Sequence, residues 1–123
     1  MELTHKIPYS QEAEEAVLGA LLLEQNLMIE VSAIINPTDF YRPQNETIYK
    51  LMLKLWADGI PFDVVTVSQA AKKANIIDQI GGYVYLDQLF DSVPASENAV
   101  NYASIIRDQS QRRRLIDTCR KGL

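Results

Sequence analysis

The last stretch of the chain carries two apolar faces that one globular body cannot easily cover. After the break at Val93-Pro94-Ala95-Ser96 the sequence can run helical to Leu123. Ala99, Tyr102, Ala103 and Ile106 recur at the three-to-four spacing that lines one side of a helix. Leu115, Ile116, Cys119 and Leu123 also share a side, but at about 100° per residue that side lies more than a quarter turn further around. Between the two sets stands Arg112-Arg113-Arg114, the one basic run. A fold that buries the first face therefore leaves the second to a further segment or a second subunit. Leu115, Ile116, Cys119 and Leu123 are accordingly expected to pack in a hairpin or between subunits.

The remainder reads as a single helical domain. At 123 residues, with 47% hydrophobic and 23% charged, the chain can build a core without metal or disulfide staples. Its one cysteine and one histidine exclude an internal bridge and a zinc cluster, and suit a reducing cytoplasm. A net charge of −4 argues against a surface that coats nucleic acid, which needs many cations against phosphates. The apolar run 17–23 is too short to span a bilayer, and the glutamates before it are unlike the basic start of a secretory signal. No membrane partner is expected.

Residues 1–9 lack periodicity and read as a mobile lead-in. Ser10 then caps a helix over 11–23, with Glu12, Glu14 and Glu15 placing negative charge in its first turn. The small residues Ala13, Ala16 and Ala20 allow close approach of a neighbour, which marks this helix as central. A shorter amphipathic helix through Leu27, Met28, Val31, Ile34 and Ile35 stops at Asn36-Pro37, and residues 39–43 form a loop. A helix over 45–58 points Ile48, Leu51, Met52 and Leu55 inward and is capped by Gly59. Helices follow over 66–74, capped by Thr66, and over 83–91, with Leu86, Leu89 and Phe90 buried and Pro94 ending the segment. Ser96 or Asn98 caps the last helix. Nowhere do alternating strands bracket a turn, so the fold class is all-α.

Placed on these elements, several strings together resemble one family, the N-terminal domain of the bacterial replicative DNA helicase (the DnaB family). They are Ile7-Pro8 with residues 12–19, then Asp39-Phe40-Tyr41, then Asp63-Val64-Val65-Thr66-Val67. Most specific are Ile80-Gly81-Gly82-Tyr83-Val84-Tyr85-Leu86, the string 93–98, and Tyr102-Ala103-Ser104-Ile105-Ile106. The match runs over residues 7 to 117 in order and spacing. The histidine often found just after the position of Asn45 in the family is missing, a departure at what reads as a structural position.

The resemblance implies a lead-in over 1–9, a compact helical head over 10–95, and over 96–123 the first arm of a helical hairpin. The second arm and the motor domain would lie beyond Leu123. It implies self-association as a dimer or as the collar of a ring-shaped hexamer, recruitment of primase, and room for a helicase loader. DNA would be engaged mainly through the parent, which unwinds duplex at the replication fork. ATP and magnesium belong to that parent's motor; no Gly-x-x-x-x-Gly-Lys-Ser/Thr string occurs in this chain, so no cofactor and no ATP hydrolysis are expected of it.

By the same resemblance Glu12, Tyr85 and Ile116 lie near the primase-docking surface. The residues themselves leave alternatives open. Tyr85 suits an interface or the edge of a core equally well, and Glu12 reads first as a first-turn charge on the helix dipole. Arg112, Arg113 and Arg114 offer a phosphate or subunit contact, but consecutive helical residues diverge, which favours a solvated hinge. A catalytic role for the acids or for Cys119 lacks any converging base, nucleophile or metal set. Two other readings stand beside the first: the helicase-binding domain of primase, and a DNA-binding helical module using Arg112 to Arg114.

Overall fold

The computed structural model describes residues 7–93 and 95–121. Among these residues the chain is all-helical and contains no strand. Six α-helices follow in order: α1 (Gln11–Leu23), α2 (Met28–Ser32), α3 (Pro43–Ala57), α4 (Val64–Lys73), α5 (Gly82–Asp91) and α6 (Ala99–Lys121). Short 3-10 turns at Gln25–Leu27, Pro37–Asp39 and Ser96–Asn98 join them.

Helix α1 begins at Ser10, whose Oγ accepts from the Ala13 N–H at 3.1 Å. It sits at the centre of the bundle against α5, α6 and α3, and Ala16 through Leu22 are buried on every side. The small residues explain how α5 comes so near: a Cβ at Gly19 would overlap the Leu89 carbonyl and the Val93 side chain. An alanine there would force the two helices apart.

Helix α3 ends in a Schellman motif. Gly59 takes φ 71°, its N–H donates to the Trp56 carbonyl, and the Ile60 N–H donates to that of Leu55. The end of α4 repeats the pattern with Asn75 at φ 59°. Gly81, at φ 92°, makes the left-handed turn that starts α5.

Several expectations need correction. The α4 cap is Asp63, not Thr66; Asp63 Oδ1 accepts from the Thr66 N–H and Thr66 Oγ1 accepts from the Asp63 N–H, a reciprocal capping box that moves the helix start to Val64. The amphipathic stretch through Leu27 to Ile35 is a 3-10 turn and the short α2, not one helix, although Met28, Val31 and Ile35 are buried. Phe90 is exposed, while Leu86 and Leu89 fill the core as expected. The loop expected over 39–43 is shorter at both ends, because Asp39 closes a capped 3-10 turn over Pro37–Asp39 and Pro43 already opens α3. The lead-in is not loose at its end, since residues 7–9 lie against α6 and Tyr41. The proposed stop at Pro94 and the apolar position Leu123 lie outside the described residues.

No helix among the described residues is long and apolar enough to cross a membrane.

Candidate docking surface

The base of the last helix is built on polar contacts with the head. Along α6 the near face, Ala99, Ala103 and Ile106, is fully buried against the bundle. At about 100° per residue, the same side of the helix continues through Ser110 and then between Arg113 and Arg114. It remains the head-facing side there, with its chemistry changed from apolar to polar. Ser110 Oγ donates to Asp39 Oδ1 at 2.7 Å, and Arg114 Nη2 reaches the same oxygen at 2.7 Å. Arg113 Nη1 donates to the Pro8 carbonyl at 2.8 Å and Nη2 to the Asp39 carbonyl at 2.6 Å. The Arg113 guanidinium also lies over the Tyr41 ring, 5.3 Å from its centre, and the Tyr9 ring stacks on that same ring with centroids 4.4 Å apart.

Asp39 is held for this task by its own turn. Its Oδ2 accepts from the Asn36 N–H at 2.7 Å, leaving Oδ1 for α6. Its side chain is 6% exposed against 59% for that of Arg114, so the pair has one buried and one wet end. Burial lowers the pKa of Arg113, while the nearby charges of Glu14 and Asp39 oppose the shift.

The solvated-hinge reading of the arginine run therefore fails at Arg113, which is half-buried, whereas Arg114 stays 59% exposed while it reaches Asp39. Arg112 alone points away, pairing with Asp108 one turn back at 3.3 Å on the exposed side. Consecutive residues do diverge, but two long guanidinium side chains straddling one face can both reach back to it. Arg113 and Arg114 thus both have partners on the head.

On the other side of α6, Leu115 is 65% and Ile116 39% exposed, and Cys119 is exposed too. They line a groove of about 870 Å³ together with Ile7, Tyr41 and Arg113. This is the face that the sequence left without a cover.

The first turn of α1 divides its acids between two roles. Glu12 is exposed and Glu15 half-buried, but Glu14 is 1% exposed. Glu14 Oε2 accepts from the Tyr41 N–H at 2.7 Å, and Oε1 accepts from Asn45 Nδ2 at 2.8 Å and more weakly from the Arg42 N–H at 3.4 Å. Asn45 is fully buried, and its Oδ1 accepts from the Tyr85 hydroxyl at 2.5 Å. Half-buried Tyr85 thus leads to Glu14, not to Glu12. Burial raises the Tyr85 pKa; hydrogen bonding with Gln44 opposes it and the charge of Glu15 adds to it.

Of the three residues carried over as near a docking surface, Tyr85 stands on α5, Glu12 on the outside of α1 and Ile116 at the α6 groove. Glu14, Asp39, Asn45 and Ser110 were missed as site residues. One signal was available: Glu14 shares a helical side with Leu18 and Leu21, an unusual place for an acid unless it is paired.

The comparisons agree with this architecture. Residues 6–108 match the family model described as the DnaB-like helicase N terminal domain. Over 111 residues the chain is 41% identical to the replicative DNA helicase DnaB of Geobacillus stearothermophilus and 40% identical to the replicative DNA helicase DnaC of Bacillus subtilis, covering 90% of this chain in each case. It spans only 24% of the length of either. Among solved structures, the N-terminal domain of DnaB helicase from Mycobacterium tuberculosis superposes with a TM-score of 0.92 at 35% identity, over 94% of this chain and 84% of that one. The N-terminal domain of DnaB helicase from Helicobacter pylori, described with its interactions with primase, superposes at 0.78 and 27% identity, over 90% of this chain and 86% of that one. Fold and sequence thus agree over nearly the whole chain, and it belongs to the DnaB-like helicase N-terminal domain family.

Proposed function

We propose that the chain is the assembly and docking part of a replicative helicase, acting through contacts rather than chemistry. Residues 10–95 serve as the head and 96–123 as the first arm of a hairpin, preceded by the lead-in. The observation that carries this reading is the uncovered apolar face of Leu115, Ile116 and Cys119, on a helix whose opposite side is pinned to the head. Such a face is stabilised by burial against another helix, supplied by a second arm or a neighbouring subunit. Unwinding, and the ATP and magnesium that drive it, belong to the parent's motor. The relatives named as replicative DNA helicases support that assignment, being much longer than the stretch matched here.

Primase is the proposed external partner, with Tyr85 and Ile116 at its docking surface and Glu12 at the rim. The Helicobacter pylori domain, whose interactions with primase have been described, is the supporting comparison. A calorimetric titration of the chain with the helicase-binding domain of a primase tests it. Tyr85→Ala and Ile116→Asp are each expected to weaken binding about ten-fold or more, as truncation at a buried interface position does, and Glu12→Gln much less. Equal binding by all three variants and the parent chain would remove the docking surface from α5 and α6. Self-association is read separately, by sedimentation: a chain that stays monomeric at high concentration, alone and when extended by a further helical arm, would defeat the collar reading.

A further inference from the structure

We propose that Glu14 couples the α5 surface around Tyr85 to the distal part of α6, so that a partner which draws the Tyr85 hydroxyl away from Asn45 loosens the arm. This concerns the regulation of the docking surface and rests on the reading of Tyr85 as part of it. Tyr85 and the base of the arm are joined by an unbroken series of contacts. The Tyr85 hydroxyl fixes Asn45 Oδ1, which orients the amide so that Nδ2 faces Glu14. Glu14 in turn fixes the backbone at Tyr41 and Arg42. The Tyr41 ring lies under Arg113, and Arg113 and Arg114 hold the Asp39 turn two residues before Tyr41.

Two features make this series a device rather than a chain of neighbours. Asn45 has a carbonyl and an amide end, and each is committed to a different element; losing the hydroxyl leaves Glu14 alone to hold the amide, with its carbonyl oxygen deprived of the donor that fixed it. Glu14 is a buried carboxylate whose nearest donors are the very groups in question, so weakening one shifts the remainder. Leu115, Ile116 and Cys119 are exposed and add no buried apolar anchor to the distal arm. Coupling of this kind is reciprocal: whatever covers the α6 groove and steadies Arg113 also strengthens the Tyr85 to Asn45 bond.

Amide hydrogen exchange of the chain by itself, followed by NMR, tests the coupling without primase. Tyr85→Phe keeps the ring and removes only the hydroxyl. The expected result is several-fold faster exchange at the Tyr41 and Arg42 amides and along 113–119, with 99–106 unchanged. Acceleration confined to α5, or spread evenly over α1 and 99–106 as general destabilisation would give, overturns the proposal. In a Glu14→Gln background, Tyr85→Phe should add no further acceleration at 113–119, because the connection is already broken; full additivity there also overturns it. If Glu14→Gln does not fold, Tyr85→Phe decides alone. Loss of primase binding in the titration would leave this result untouched, and loss of coupling would leave primase binding untouched, so the two readings fail separately.

Discussion

The two halves of α6 are one continuous helix, yet they are held to the head by different physics. The half from Ala99 to Ile106 is held by burial: Ala99, Ala103 and Ile106 are removed from water and need no directional partner. The half beyond Ser110 is held by hydrogen bonds from Ser110, Arg113 and Arg114 to the Asp39 turn and the Pro8 carbonyl, while its large apolar residues face outward. Burial is tolerant of small shifts, but hydrogen bonds weaken steeply with distance and angle. One half is therefore a fixed part of the core, and the other is an arm whose position depends on a few polar contacts and on whatever covers its outer face.

Substitutions along the helix should separate these two modes. The largest effect is expected from Ile106→Ala, which empties core volume and should cost about 2–5 kcal/mol in denaturant unfolding; a loss well under 1 kcal/mol, read against the ~1 kcal/mol scale of ordinary substitutions, would show the near half is not held by burial. Asp39→Ala comes next. It removes the partner of Ser110, the Asn36 N–H and Arg114 while leaving the carbonyl that Arg113 uses, at about 1–3 kcal/mol, with Arg114 contributing little because its end is solvent-screened. Its mark should be faster exchange beyond Ser110, which a core effect would not localise.

Tyr85→Phe should cost less, and its effect should depend on pH. Burial raises the Tyr85 pKa, so the folded chain holds that proton more tightly than the unfolded one. The linked stabilisation is complete below the unfolded value of about 10 and fades as pH rises through the folded value. The parent should therefore lose more stability than Tyr85→Phe in alkaline unfolding series; parallel curves would show that Tyr85 is not buried as described. The smallest change is expected from Ile116→Asp, within about 0.5 kcal/mol of the parent in the isolated chain, since its side faces solvent there. A larger destabilisation would mean that the outer face already packs on the head.

The apolar half was legible in the sequence and the polar half was not, for a physical reason. Helical periodicity reports where side chains avoid water, so Ala99, Ala103 and Ile106 announced their face, as Leu115, Ile116 and Cys119 announced theirs. Ser110, Arg113 and Arg114 look like solvated residues until Asp39 is placed opposite them, and Asp39 comes from a turn far away in the chain. Glu14 was disguised in the same way. Its neighbours Glu12 and Glu15 suit a helix start, and only the fold shows that it faces Tyr41 and Asn45 instead. The caps are all local: Ser10 and Gly59 were readable, whereas Thr66 reads in the sequence as a cap that Asp63 supplies, the two being reciprocal partners in one pair of bonds.

Hydrogen exchange resolved along α6, compared between the chain and an Arg113→Ala/Arg114→Ala double variant, tests the difference between the halves most directly. Loss of these charge-assisted bonds should accelerate exchange over 111–121 by about ten-fold or more, with 99–106 as protected as before. Unchanged protection beyond Ser110 would contradict an arm held by its polar contacts, and loss of protection along the whole helix would contradict a near half held independently by burial.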